Sequence, residues 1–417
     1  MNCFFCRFAR IKSFCPIMKE SVTIRNFGPI NEACIEDLRP LTILIGESGS
    51  GKSTILKVVA LFRYIYKMLN IRFYLKDSQI DRSPFRIRLN DYFKTNALDQ
   101  YVRSDSEISY TVEFKDTSYT LSYKNGKLQM PKSMNSEDLV YIKGSFVSEN
   151  RNIIPTWSAK VASNRGATLG FYFHETYKDF EEATDHIDHL DLDFLNMKFL
   201  VRKVGGKKKY TITDRNQSFT PIDLRAASSG MQTSTPLVTI TNYFARHFDF
   251  KSALRRSVLS YLYDTDRLSK FQPKVELTEL PRNIFIHVEE PELSLYPYAQ
   301  MQLFDRLVRD MSLARANDIR MDIMMATHSP YIVNYANLLL RRGQNVQQTS
   351  STADNVVRLD KDTISVFRVV DGTLLPLMGK SEDNISIIDT YPLSEPMLKI
   401  YEEYVAHTTQ TGNDALQ

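Results

Sequence analysis

Four groups of residues in this sequence combine side-chain types and spacings that can do chemistry. The first is GESGSGKST, where Gly46, Gly51, Lys52 and Ser53 stand at the spacing GxxxxGK[ST]. In such a loop, Gly46, Glu47, Ser48, Gly49, Ser50 and Gly51 can wrap backbone N–H groups around a phosphate, because glycine puts no side chain in the way. Lys52 would reach the β- and γ-phosphates, Ser53 would offer its hydroxyl to magnesium, and Thr54 completes the loop. The second group is the adjacent pair Glu289 and Glu290, which follows the apolar run IFIHV. One acid at a strand end can hold magnesium through water, while its neighbour, turned the other way, orients the water that attacks phosphorus. His328 is the third, in MMATHSP, where the C-terminal edge of a parallel strand would face a ligand crevice and a γ-phosphate. The fourth is AASSGMQT, with Ser228, Ser229, Gly230 and Gln232. It reads either as an N-cap or as a helix N-terminus that receives phosphate.

These residues need rigid elements to hold them. LTILIG predicts a strand before the glycine loop, and TILKVVALFRYIYKML predicts a helix after it. Ile284 to Val288 predicts a strand before the paired acids, and MDIMMATHSP predicts another, followed by a helix opened by Pro330. SVTIRNF adds a short strand near the start. Between residues 71 and 220 the alternation in SEISYTVEFKDTSYTLSYKNGKLQM predicts antiparallel hairpins, and NMKFLVRKVGGKKKYTITD predicts another around Gly205 and Gly206. Lys207, Lys208 and Lys209 are expected on that hairpin's rim, as a solvated cluster or a phosphate-backbone contact. HETYKDFEEATDHIDHLDLDFL, with His186 and His189, predicts an acidic solvated helix. Near the end come a hairpin around Asp371 and Gly372 and a helix in PMLKIYEEYVAHT.

A chain of 417 residues, 43% hydrophobic and 24% charged, can bury a large core. A net charge of +4 permits contact with nucleic acid without requiring it. There is no run of about 18 apolar residues, so a membrane partner is not expected. Cys3, Cys6, Cys15 and Cys34 crowd one end, which is not the pattern of a disulfide-stapled secreted fold and fits a reducing cytoplasm. Residues 1–17 precede Met18 and are expected to be a leader or disordered extension.

The order GESGSGKST, ASSGMQ, FIHVEEPE, ATHSP resembles the ABC-type ATPase head shared by SMC proteins, double-strand-break repair ATPases and OLD-like ATPases of bacterial phage defence. The resemblance implies an α/β P-loop NTPase fold: a mixed sheet flanked by helices, with an inserted β-hairpin and helical region. Its head would comprise residues 18–70 and 221–378, its insert residues 71–220, and its terminal helix and tail residues 379–417. It implies ATP and Mg2+ as ligands. Gly46 to Thr54 would bind nucleotide, Ser53 and Glu289 the metal. Glu290 would be the catalytic base and His328 the switch histidine. Ser228, Ser229, Gly230 and Gln232 would complete the site of a second copy, so a homodimer or higher homo-oligomer is expected. EEPE is similar to the OLD-like branch, and YIKGSFVSENR, ending at Arg151, is similar to that branch's YIPAER-like segment. Glu289 stands where SMC heads and transporters have aspartate, Ala227 and Ser229 replace residues of LSGGQ, and Tyr296 stands where the branch often has histidine. After His328 the sequence offers only a hairpin and a helix, not the Toprim domain of OLD nucleases. The chain is therefore similar to the stand-alone ATPase subunits of PARIS, Septu or retron-linked cassettes, which implies a separate effector protein, such as a nuclease, and a DNA or phage-protein trigger. The alternative is a DNA-repair or chromosome-maintenance ATPase that clamps DNA directly.

Overall fold

The computed structural model describes residues 18–80, 87–160, 170–216, 218, 220–254, 258, 262–263, 267–273, 279–344, 357–381 and 384–414. The leader expected at residues 1–17 lies outside them. The strands are β1 Lys19–Phe27, β2 Ile30–Ile35, β3 Leu41–Gly46, β4 Val102–Glu113, β5 Ser118–Lys124, β6 Lys127–Gln129, β7 Tyr141–Val147, β8 His189–Leu192, β9 Met197–Val204, β10 Lys207–Asp214, β11 Ile222–Asp223, β12 Arg282–Glu289, β13 Ile319–Thr327, β14 Ile364–Val370, β15 Thr373–Pro376, β16 Met378–Lys380 and β17 Ser386–Ile388. The helices are α1 Lys52–Asp77, α2 Leu89–Thr95, α3 Ile154–Lys160, α4 Phe171–Ala183, α5 Ser229–Arg246, α6 Phe250–Leu254, α7 Pro297–Ala316, α8 Pro330–Gln344 and α9 Tyr391–Asp414.

An eleven-stranded mixed sheet in the order β6-β5-β4-β1-β2-β15-β14-β3-β13-β12-β7 organises the molecule. In its functional half, β14, β3, β13, β12 and β7 run parallel, with Ile43 opposite Met325, Val288 opposite Met325 and Val288 opposite Val147. These strands are unbroken apolar runs because both faces of a parallel sheet are covered, and every residue of β12 from Asn283 to Glu289 is buried. α1 packs on β3, β13, β12 and β7, and its apolar residues are buried almost all round, as a helix wrapped by its neighbours requires. Parallel strands of one sheet end on one edge, so Gly46, Glu289, Thr327 and Val147 close their strands side by side. The fold is α/β with a mixed sheet flanked by helices, as the sequence predicted.

The large sheet does not stop at residue 70. Strands β4, β5 and β6 extend it through β1, and β7 extends it through β12, although all four come from the interval read as an insert. Among the described residues of that interval, β8, β9 and β10 stand apart from it, in a four-stranded sheet completed by β11. The segment expected as one acidic solvated helix is instead two elements. α4 ends at Ala183, and from His189 the chain is strand β8, because Leu190 and Leu192 alternate with polar residues and are buried against β9. α4 is also not solvated all round: Phe180 and Asp179 are buried, and Asp179 accepts hydrogen bonds from Lys143 (2.7 Å) and Ser145 (2.5 Å). The ring of His186 stacks on Tyr243, with centroids 5.0 Å apart. The expected hairpin β9–β10 is present, but Lys208 is not a rim residue. Its Nζ donates to Glu181 O and Thr184 Oγ1 and pairs with Asp185. Lys207 and Lys209 remain exposed. No helix among the described residues is long and apolar enough to cross a membrane.

Candidate functional site

The glycine loop spans the gap between β3 and α1. Gly51 caps α1 at φ +108°, and a Cβ there would sit 2.3 Å from Ile30 Cδ1, so backbone angle and space both demand glycine. No side chain caps α1. Its leading N–H groups are therefore not claimed by a side-chain cap, and the positive end of the helix faces the loop. Lys52 is buried, and its Nζ donates to Gly46 O (2.9 Å) and Glu47 O (2.7 Å). Burial lowers its pKa, against the opposing pull of Glu290, Glu292 and Glu47. Ser50 Oγ is buried with no hydrogen-bond partner.

β12 delivers the two acids with opposite fates. Glu289 is buried at the strand end, and its Oε1 lies 3.2 Å from Lys57 Nζ as an ionic contact without hydrogen-bond geometry. Its Oε2 is 3.5 Å from the Glu149 N–H. Lys57 is four residues after Ser53, on the same face of α1, and its ammonium also lies over the Tyr172 ring at 5.3 Å. Glu290 adopts φ +43°, a left-handed conformation that side chains rarely take, and this turns its carboxyl away from that of Glu289. Its N–H donates to Ala326 O at 2.8 Å, and its Oε1 lies 3.6 Å from His328 Nε2. Burial raises the Glu290 pKa, with Glu292 and Glu149 adding to the rise and His328 and Arg151 opposing it. Glu292 Oε1 accepts from the His328 N–H (2.6 Å), while its Oε2 has no partner.

Arg151 holds this arrangement together from beneath. Fully buried, it donates to Thr233 O (2.9 Å), Ser148 O (3.1 Å), Glu289 O (2.7 Å) and Glu290 O (2.5 Å). Burial pulls its pKa down to about 10, opposed by Glu292, Glu290, Glu289 and Glu149, so it stays charged at neutral pH. One guanidinium thus joins the turn after β7, the strained turn after β12, and the first turns of α5.

Ser228 stands at the N-cap of α5, but its side chain makes no capping bond, and Ser228 and Ser229 are both exposed. Gly230 is buried: a Cβ would lie 2.7 Å from Ser294 O and 3.1 Å from Leu295 Cδ2. The glycine therefore serves a close approach of α5 to the loop that follows Glu290. Thr233 Oγ1 donates to Leu293 O (2.8 Å) and fixes the same contact. Gln232, expected among the nucleotide-binding residues, donates its amide to Arg225 O (3.0 Å) and Ala227 O (2.8 Å), so that amide braces its own turn.

The structure brings Lys52, Glu289, Glu290 and His328 onto one edge of the sheet, and it ties α5 to the Glu290 loop in the same chain. Sequence reasoning left Lys57, Glu149 and Glu292 unassigned and gave Arg151 no role. Lys57 could have been found from its i+4 spacing to Ser53, and Glu292 as the third acid of EEPE; nothing local marks Arg151 as buried. The donor set suits a hard divalent cation, since Glu289 Oε1 is a buried carboxylate oxygen without a hydrogen bond and already faces a cationic group. Buried anionic and hydroxyl oxygens beside an uncapped helix end and a buried lysine are the surroundings of a phosphate–metal site.

No curated protein matches the chain in sequence. Among solved structures it is similar to an SmcHead bound to the C-winged helix domain of ScpA, at 11% identity and TM-score 0.34 over 89% of this chain and 98% of that one. It is also similar to the recombination mediator protein RecF with ATPrS, at 12% identity and TM-score 0.34 over 87% and 98%. Similarity at that level leaves the assignment to the family model. That model, described as the AAA ATPase domain, matches residues 18–276, more than half of the chain. The glycine loop lies within that match, and the chain belongs to the AAA ATPase domain family and is an ATPase.

Proposed function

We propose that this ATPase is an ABC-type, OLD-like head that binds ATP with magnesium and works in the cytoplasm as a homodimer or larger homo-oligomer. It acts as sensor and scaffold, controlling a separate effector such as a nuclease in anti-phage defence on meeting a DNA or phage-protein trigger. One observation carries the reading: two half-sites share one frame, with Glu290 and His328 at 3.6 Å and the exposed Ser228 and Ser229 anchored to the Glu290 loop through the buried Gly230. In this reading Lys52 exchanges the carbonyls of Gly46 and Glu47 for phosphate oxygens. Ser53 and Glu289 hold magnesium, which neutralises charge on the phosphates when bound. Glu290 takes the proton of the attacking water, helped by a raised pKa, and His328 contacts the γ-phosphate. Ser228, Ser229 and Gly230 close on the nucleotide of a second copy.

Native mass of the Glu290→Gln protein, with and without ATP and magnesium, tests the dimer. ATP should raise the mass or lock a preformed assembly against dilution; indifference to ATP removes the two-headed site. The defence role is tested by phage plating on cells carrying this gene with its neighbours, where Lys52→Ala should abolish protection. The exposed Lys207 and Lys209 give the alternative its footing. If DNA stimulates turnover, and the double substitution to glutamate removes that stimulation, the chain is a DNA-clamping repair ATPase instead.

A further inference from the structure

From Glu395 to His407 every side chain of α9 is exposed, although its first turn is anchored by Leu393 packed against the core. Pro396 removes one bond of the helical ladder where the exposed stretch begins. At 3.6 residues per turn, Met397, Leu398, Ile400, Tyr401, Tyr404 and Val405 fall on one half of the helix. Glu395, Lys399, Glu402 and Glu403 fall on the other half. Within the exposed stretch Met397, Ile400 and Tyr404 follow one another at steps of three and four, the spacing of a two-helix seam.

These six apolar side chains are 38–70% exposed, Met397 most of all. The apolar area they offer is on the order of the ~800 Å2 per partner that a stable interface buries. An apolar stripe of this size on a folded protein marks an interface. The charges discriminate among occupants. The acids lie away from the stripe, so a second copy of the helix can be laid on it without setting acid against acid, whereas a basic partner would find no carboxylates lining the seam. Every copy of the chain carries the complementary surface at the same concentration, as a self-associating interface requires.

We infer that α9 pairs with α9 of a second copy of this chain, forming a homotypic interface that does not need nucleotide. It is distinct from the ATP-bridged contact proposed above, and the two together would join chains into assemblies larger than two. Sedimentation of the full-length protein free of nucleotide, at micromolar concentration, tests it. The wild type should sediment as a dimer. The double variant Met397→Glu, Ile400→Glu should sediment as a monomer while retaining wild-type affinity for a fluorescent ATP analogue, which shows that the head is folded. Ile400→Leu, which keeps the stripe apolar, should remain a dimer. A monomeric wild type would overturn the inference and assign the stripe to another occupant; a dimer that survives the double charge substitution would overturn it equally. Because no step involves bound nucleotide, failure here leaves the ATP-bridged dimer untouched, and the reverse holds.

Discussion

Glu289 and Glu290 are neighbours in sequence with nothing else in common. The strand holds one in place, buried against Lys57; the other is turned into the left-handed region and set beside His328. Burial lifts the Glu290 pKa above its ordinary 4.5, with Glu292 and Glu149 adding to the lift. Since a general base works only when ionised, turnover should fall on acidification at a pH above that of an ordinary glutamate. A pH profile of ATP hydrolysis checks this; Glu290→Gln should lower the plateau by about 10²–10⁴-fold and remove the limb. Lys57 gives a second prediction. Its ammonium competes with a divalent cation for Glu289, so Lys57→Met should lower the half-saturating magnesium concentration. The pair is partly solvated, which limits the effect to about 1 kcal/mol, roughly fivefold. A magnesium titration of turnover would show no shift if Lys57 does not hold that carboxylate.

Elements explain which parts were legible. The strands β3, β12 and β13 announced themselves as apolar runs ending in chemistry, since burial on both faces leaves that signature in the residues themselves. β7 is interrupted by Lys143, Gly144 and Ser145, and its place beside β12 depends on pairing across about 140 residues, which no local pattern encodes. The left-handed turn at Glu290 was equally hidden, because backbone strain imposed by Arg151 and the Ala326 carbonyl leaves no compositional trace. The glycine of the serine-glycine turn was visible, and its reason was not: it is a contact with Ser294. Gly230→Ala should therefore push α5 off the Glu290 loop and destabilise the protein by about 1–3 kcal/mol. Turnover should drop while nucleotide affinity stays. If melting temperature and rate are both unchanged, the loop is yielding rather than fixed.

Across the whole molecule, a buried ionic network joins β1, α1 and β13. Glu20 is fully buried, receives both arms of Arg63 (3.0 and 2.9 Å) and meets Arg320 at 3.4 Å, with the Tyr110 hydroxyl donating to it as well. Arg63 also reaches His287 Nε2 at 3.3 Å on β12, where burial and the guanidinium lower the imidazole to about pKa 3. Burial alone would raise the Glu20 pKa, but Arg63 and Arg320 override it and leave it below 4.5. The sign follows: Glu20 stabilises the fold above the unfolded-state pKa, and this is lost as pH falls through the lower folded value. Glu20→Gln leaves a buried arginine unpaired and should destabilise by about 3–5 kcal/mol. Urea denaturation at neutral pH should show that gap, and it should narrow in acid.

The partners of β3 have a consequence for how the molecule is made. The strand that feeds the phosphate loop is bordered by β13 and β14, both encoded beyond residue 318, while Leu41, Ile43, Leu44 and Ile45 must be buried between them. As the polypeptide leaves the ribosome, this apolar segment must wait for about 270 further residues before either neighbour exists. Competence to bind nucleotide therefore arrives late in synthesis. A stalled nascent chain would present a greasy, unpaired strand to chaperones and proteases instead of a half-built motor.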